Sequence, residues 1–114
     1  MENEIKEVEI APFAQDDLEE IIEYYNSLSQ NYVETTIAEF EENVMSLKDH
    51  PKSGRVVPEL EKQGITQYRE LIQGYYRIIY TITTDKVTVL TIIDGRRNFE
   101  EIIIEKLSRY YNNL

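Results

Sequence analysis

The sequence contains no cysteine, only one histidine and no long hydrophobic run. Without cysteine, a disulfide framework and thiol chemistry are excluded. The longest aliphatic run is Ile102–Ile104, far short of the roughly 20 apolar residues that a membrane-spanning helix needs. The first six residues are acidic and lack the apolar stretch of a signal peptide. We therefore expect a cytoplasmic protein that has no membrane partner.

Signatures of metals, cofactors and nucleophiles are equally scarce. The histidine, His50, stands before a proline at the end of a predicted helix, where a surface or capping role is expected. The four glycines are isolated, so they form no phosphate-binding loop. No serine is paired with a histidine base in a recognisable pattern. We therefore expect neither a metal nor a cofactor.

Positive charge is almost missing from the first half of the chain. Residues 1–50 hold 14 carboxylates and two cations, whereas residues 51–114 hold eight carboxylates and ten cations. The formal net charge of −10 argues against non-specific binding to nucleic acids or anionic membranes, because such binding depends on Lys and Arg. A local cationic site in the second half remains compatible with this balance.

Apolar spacing predicts two helices in the acidic half. Residues 5–10 alternate in part, which favours an edge strand. A first helix is predicted from Pro12 to Leu28, because apolar residues recur there at helical spacing. The second, Val33–Leu47, carries an apolar stripe with spacings of 4, 3, 4 and 3 residues. The carboxylates between these stripes are expected to lie on solvated faces.

The second half predicts a sheet followed by a helix. Three runs rich in Ile, Val, Thr and Tyr are predicted as antiparallel strands, Tyr68–Ile72, Tyr75–Thr83 and Val87–Asp94. Their apolar residues fall on both faces, as expected of strands that helices cover. Residues 56–66 are predicted to be an irregular connection, and the final helix runs from Phe99 to Tyr110.

Five of the six arginines fall among the predicted strands and their connections. Arg77 lies inside a strand otherwise built for burial, where a charge is costly unless it is paired. One interpretation is an ion pair with Glu70 or with the acidic helices. The other is a sheet face on which Arg69, Arg77 and Arg97 bind an anion such as phosphate. Nearby aromatic rings are suited to base stacking, and they belong to Tyr68, Tyr75 and Tyr76.

Four stretches of the chain, in order, resemble the RelE/ParE superfamily of type II toxin–antitoxin toxins, also called plasmid stabilization proteins. They are residues 11–25, 51–58, 68–80 and 87–97, and the more specific pieces are Tyr-Arg-Ile-Ile-Tyr and Gly-Arg-Arg. The resemblance implies an α+β fold in a single domain spanning residues 1–114. In that fold an N-terminal helical hairpin packs on a twisted antiparallel β-sheet, and a C-terminal helix follows.

The resemblance implies two mechanisms. RelE-like members cleave mRNA on the ribosome without a metal, and the match would place Arg69, Arg77 and Arg97 as contacts to the scissile phosphate. The tyrosine that such enzymes often carry after the last arginine is replaced here by Ile103. Tyr110 and Tyr111 are then the candidate proton-transfer groups, provided that the last helix folds back over the sheet.

ParE-like members instead poison DNA gyrase and need no nuclease site. The long N-terminal hairpin and the missing C-terminal acid or base resemble them more. Either class implies a cognate antitoxin, and a homodimer and a toxin–antitoxin hetero-oligomer are both compatible with it. Two alternatives stay open. One is a detoxified RelE/ParE-fold module that binds an antitoxin-like partner without toxicity, and the other is an unrelated acidic adaptor in which Arg77 is structural.

Overall fold

The computed structural model describes residues 4–111 as one sheet with helices on both faces. The helices are α1 (Pro12–Asn26), α2 (Gln30–Ser46), α3 (Pro58–Glu61) and α4 (Phe99–Ser108). The strands are β1 (Glu7–Ile10), β2 (Arg55–Val56), β3 (Tyr68–Gln73), β4 (Tyr76–Thr83) and β5 (Lys86–Asp94). No helix within residues 4–111 is long and apolar enough to cross a bilayer.

The five strands lie in the order β1-β5-β4-β3-β2. Strands β2 to β5 pair antiparallel, which confirms the predicted antiparallel arrangement of β3, β4 and β5. The predicted edge strand also forms at an edge, but β1 runs parallel to β5, with Glu7 opposite Lys86. The prediction of an antiparallel sheet was therefore wrong for β1. The intervening helices and strands give the chain the long crossover that a parallel pair requires.

The N-terminal helical hairpin of α1 and α2 covers one face of the sheet, as predicted. Ser29 caps α2, since its hydroxyl accepts a hydrogen bond from the Tyr32 backbone N–H at 3.2 Å. The apolar stripe of α2 packs on inward-facing residues of β4 and β5, because alternate strand residues share one face. This core is formed chiefly by Ala14, Leu18, Phe40, Val44, Leu47, Ile78, Tyr80, Val87, Val89 and Ile92.

The opposite face is covered by α4 and by the segment around α3. The buried residues of this second core are Val57, Leu60, Tyr68, Ile79, Leu90, Ile93, Phe99, Ile103 and Leu107. Because α4 begins at Phe99 and ends at Ser108, the predicted C-terminal helix is confirmed, and Tyr110 lies just beyond its end. The α+β fold class is confirmed, with Ile78 and Ile79 of the same strand facing different cores.

The predicted irregular connection contains two short elements that sequence patterns missed. Strand β2 adds two residues to the sheet, with Arg55 opposite Glu70. Helix α3 begins at Pro58, whose missing N–H costs nothing in a first turn, and buries Leu60. The turn after it uses Gly64 at φ +81°, a conformation that glycine adopts without strain. Elements of two and four residues are too short to show periodicity, which is why they escaped prediction.

Candidate functional site

Arg77 lies on the α4 face of the sheet and binds two carboxylates at once. Its Nε and Nη2 donate to Glu70 Oε1 and Oε2 at 2.7 and 2.9 Å. Its Nη1 and Nη2 donate to Glu59 Oε2 and Oε1 at 2.9 and 2.8 Å. Both edges of the guanidinium are therefore engaged in bidentate pairs, the strongest geometry for this group. Of the alternatives from sequence, pairing with Glu70 is the one observed, and Glu59 of α3 is an additional partner.

Glu70 is the most deeply buried member of this arrangement. Its side chain is 0% exposed, and it also accepts a hydrogen bond from Arg55 Nε at 2.7 Å. Arg55 lies directly opposite Glu70 in the sheet, and Arg77 lies diagonally across from it. We call these four residues, Arg55, Glu59, Glu70 and Arg77, the Arg77 cluster. Two carboxylates balance two guanidinium groups, which satisfies the requirement that buried charges be paired.

Two further residues hold the Arg77 side chain in place. The Phe99 ring lies under the guanidinium, 3.4 Å from its Cζ to the ring centroid, a cation–π contact. The backbone at Gly95 approaches the aliphatic stem so closely that a Cβ there would lie 2.8 Å from Arg77 Cδ. The glycine of the Gly-Arg-Arg sequence therefore makes room for Arg77.

Arg69 lies on the other face of the sheet from Arg77. It pairs with Tyr80, whereas Arg77 pairs with Ile72, and residues 69 and 72 point in opposite directions along the strand. The Arg69 guanidinium donates to the Gly54 carbonyl at 2.7 Å. The Tyr80 hydroxyl donates to the Pro51 carbonyl and accepts from the Gly54 N–H, at 2.7 and 3.0 Å. Arg69 and Tyr80 thus fix the loop before β2.

Arg97 is exposed in the turn before α4. Its neighbour Arg96 donates to Asp94 at 2.8 Å and stacks on the exposed Tyr75 ring at 4.0 Å. The side-chain hydrogen bond from Arg96 is the main cause that lowers the pKa of Asp94, and the backbone hydrogen bond and charge of Arg96 add to it. Because Arg69 and Arg77 lie on opposite faces of the sheet, the structure does not bring Arg69, Arg77 and Arg97 together around one anion site.

The two C-terminal tyrosines make their contacts away from Arg77. The Tyr110 hydroxyl donates to the Leu90 carbonyl, and burial raises the pKa of Tyr110 to about 12. The Tyr111 and Tyr68 hydroxyls lie 2.6 Å apart. Leu90 is three residues along β5 from Ile93, the partner of Arg77, a separation of roughly 10 Å. The chain after α4 does return to the sheet, but at a different part of it.

The predicted aromatic neighbours of the arginines also separate. Tyr68 is buried on the α4 face, and burial, together with the hydrogen bond to Tyr111, raises its pKa to about 12. Tyr76 faces the helical hairpin, where its hydroxyl donates to Tyr25 at 3.2 Å. Tyr75 alone is exposed, at 63%. The three rings do not form one stacking platform.

A second buried ion cluster centres on Asp17 of α1. Its carboxylate accepts hydrogen bonds from Thr91 at 2.6 Å, from Lys106 at 3.0 Å and from Arg109 at 3.1 Å. We call these four residues the Asp17 cluster. Burial alone would raise the pKa of Asp17, but the hydrogen bonds from Arg109, Thr91 and Lys106 outweigh it, and the pKa is lowered. The cluster joins α1 to β5 and to the end of α4.

Sequence reasoning missed Asp17 and Glu59. Most carboxylates of the hairpin are exposed as predicted, but Asp17 is 4% exposed. Its position three residues after Ala14 and four before Ile21 puts it on the apolar stripe of α1, and that spacing was the available signal. Glu59 gave no such signal, because the four-residue helix that carries it has no readable pattern.

The described residues offer no group of three His, Asp or Glu side chains suited to a metal ion. What the Arg77 cluster provides chemically is recognition of a carboxylate or similar anion by a buried guanidinium. Its two carboxylates accept hydrogen bonds from arginines that remain protonated, so neither is placed to take a proton from a nucleophile.

Comparison with protein families gives one match to most of the chain. Residues 8–99 match the family described as ParE toxin of type II toxin–antitoxin system, parDE. No curated protein sequence is significantly similar to the chain.

Solved structures that share the fold include two from toxin–antitoxin systems. A chain of the chromosomal ParDE toxin–antitoxin system from P. aeruginosa superposes with a TM-score of 0.66 at 15% sequence identity, covering 81% of this chain and 98% of that one. A chain of the toxin–antitoxin complex RelBE2 from Mycobacterium tuberculosis superposes with a TM-score of 0.53 at 18% identity, covering 82% and 93%. At these identities the likeness concerns the fold.

Proposed function

This chain belongs to the ParE toxin family of type II toxin–antitoxin systems, and we propose that it acts as ParE-like toxins do, by poisoning DNA gyrase. The superfamily resemblance and the toxin class are established by the family match. The main support for gyrase over mRNA cleavage is the double pairing of Arg77 with Glu59 and Glu70.

This pairing matters because a nuclease needs its arginines available for the scissile phosphate. Catalysis of this kind depends on donors placed in advance at the position where charge develops. Arg77 is 9% exposed and both of its edges already hold carboxylates. A phosphate would reach Arg77 only by displacing Glu59 from the more exposed edge, and it would then meet a single guanidinium, because Arg69 lies on the opposite face of the sheet.

The candidate proton-transfer group Tyr110 is also poorly suited to act as a general base. A general base works best when its pKa is near the operating pH, but burial raises the pKa of Tyr110 to about 12. Its hydroxyl is engaged with a backbone carbonyl. The acidity of residues 1–50 adds to this argument, since a ribosome-docking enzyme is expected to carry a broadly basic surface.

We further propose that a cognate antitoxin neutralises this toxin. The two solved structures described above belong to toxin–antitoxin systems, which supports a protein partner of that class. Large apolar side chains exposed on several elements, among them Leu28, Ile72 and Ile104, are surface that a protein partner would cover.

The test is controlled expression in bacteria with two readouts, the DNA-damage response with plasmid supercoiling, and mRNA cleavage at codon boundaries. We expect growth arrest with the first readout and not the second. Co-expression of an antitoxin should restore growth.

The matched variant is Tyr110→Phe/Tyr111→Phe, which removes both candidate proton-transfer groups. It should remain toxic if gyrase is the target. Cleaved mRNA that disappears in this variant would overturn the gyrase proposal. Unchanged growth at confirmed expression would favour the detoxified binding module instead.

A further inference from the structure

The two edges of the Arg77 guanidinium bind carboxylates that differ in their exposure to solvent. The inner edge, Nε and Nη2, holds Glu70, whose side chain is 0% exposed. The outer edge, Nη1 and Nη2, holds Glu59, whose side chain is 27% exposed. Glu70 is locked in the sheet by Arg55 as well as Arg77. Glu59 contacts solvent and is the exchangeable partner of the two.

Exchange of Glu59 requires no movement of its helix. Its neighbours Val57 and Leu60 are 0% and 2% exposed and anchor α3 in the second core. Glu59 lies between these anchors on the solvent side, so rotation of its own side chain is enough to free the outer edge. A side-chain rotation of this kind is fast in comparison with backbone rearrangements.

The charge count of the cluster defines what can replace Glu59. When Glu59 leaves, the cluster retains two arginines and one carboxylate, so its net charge is +1. One monovalent anion restores neutrality, and the bidentate geometry at 2.8 and 2.9 Å is that of a planar carboxylate. The Arg77 guanidinium would stay paired throughout, so no buried charge is left orphaned during the exchange.

Apolar surface is exposed on the same face of the sheet as Arg77. Ile72 is the cross-strand partner of Arg77 on the same face, and it is 54% exposed. An exposed isoleucine next to an anion-binding arginine is suited to a protein segment that carries both an acidic and an apolar side chain. Nucleic acid fits less well, because the chain's net charge of −10 opposes a polyphosphate backbone.

We propose that the outer edge of Arg77 is a docking point for an acidic side chain of a protein partner, and that Glu59 occupies it as an internal substitute in the free chain. The inference rests on the antitoxin partner proposed above, since the antitoxin is the protein expected to cover this surface. Glu59 then competes with the antitoxin carboxylate and tunes the affinity.

The first experiment uses the purified chain alone. Glu59→Ala and the control Glu61→Ala, an exposed carboxylate on the same helix, are melted at neutral pH in sodium propionate, phosphate or chloride at matched ionic strength. We expect propionate to raise the melting temperature of Glu59→Ala saturably above its value in chloride. Wild type and Glu61→Ala should show no such rise. Glu59→Gln, which keeps the shape of the side chain, serves as a second variant.

Absence of a propionate-specific rise in both Glu59 variants would overturn the docking point. A larger rise with phosphate than with propionate would overturn the assignment to carboxylate and point to nucleic acid. Neither outcome depends on toxicity, so this experiment can succeed while the gyrase proposal fails, and the reverse.

The second experiment measures antitoxin affinity. If Glu59 holds the outer edge about nine-tenths of the time, Glu59→Ala should bind the antitoxin about tenfold more tightly, because the binding-competent fraction rises. Glu61→Ala should bind like wild type. Equal or weaker binding by Glu59→Ala would show that the antitoxin does not use this edge.

Discussion

The Arg77 cluster and the Asp17 cluster are both buried ion networks, but they differ in which charged side chains are buried. In the Arg77 cluster the central pair is sealed, with Arg77 10% and Glu70 0% exposed at the side chain. In the Asp17 cluster only the carboxylate is sealed, at 5%, while Lys106 and Arg109 are 28% and 25% exposed. Loss of a partner should therefore be more costly in the first cluster, where the remaining charge cannot reach solvent.

The clusters also differ in what they join. The Arg77 cluster links neighbouring strands and α3. The Asp17 cluster links residues separated by 89 and 92 positions in the chain. The first therefore shapes one face of the sheet, whereas the second holds the end of α4 against α1.

The largest effect is expected from Arg77→Met, which leaves Glu70 buried with Arg55 as its remaining partner. We expect a loss of about 3 kcal/mol in the free energy of unfolding, measured by urea denaturation. Arg77→Met/Glu70→Gln should recover part of this loss, because the buried charge is removed. Equal losses in the single and double variants would show that the buried charge of Glu70 does not cause the larger cost expected in the Arg77 cluster.

A smaller effect is expected from Asp17→Asn. The cations it leaves can turn toward water, so we expect a loss of about 2 kcal/mol, in the range for hydrogen bonds to a charged group. The same urea experiment measures it. A loss larger than that of Arg77→Met would show that exposure of the partners does not govern the cost.

The next smaller effect is expected from acid, which should weaken the Asp17 cluster. The pKa of Asp17 is lowered from its ordinary 3.8 in the folded chain, so the unfolded chain binds the proton more readily. The stabilisation is then complete above the unfolded pKa and is lost as the pH falls through 3.8 toward the folded value. Melting temperatures from pH 6 to pH 2.5 should fall less steeply in Asp17→Asn than in wild type. Parallel curves would contradict this.

The smallest effect is expected from Tyr80→Phe, which supplies a neutral reference for the two charged clusters. The variant removes the hydroxyl that bonds the Pro51 carbonyl and the Gly54 N–H. We expect a loss of about 1 kcal/mol by urea denaturation, typical of a net hydrogen bond. A loss equal to that of Asp17→Asn would mean that charge adds little to these networks.

Sequence patterns predicted the long elements because burial imposes a period on them. The stripe of α2 placed Val33, Phe40 and Val44 in the core, and runs of β-branched residues located β3, β4 and β5 to within one residue. The direction of β1 could not be read in this way. Alternation indicates a strand but does not distinguish a parallel from an antiparallel neighbour.

The candidate site was less predictable, because its residues meet through the fold. The opposite orientation of Arg69 and Arg77 follows from the turn at Gly74 and Tyr75, which sets the register of β3 and β4. That register was within reach of sequence reasoning. The contact with Glu59 was not, since it depends on where a short helix packs against the sheet.

The parallel pairing of β1 with β5 also has a consequence for the order of folding. Contacts between residues 7–10 and 86–89 join parts of the chain that are far apart in sequence, and such contacts slow folding. A chain emerging from the ribosome cannot complete its sheet before residues near 90 are made, and it cannot close the Asp17 cluster before residue 109. The complete sheet and the Asp17 cluster therefore form only after nearly the whole chain has been synthesised.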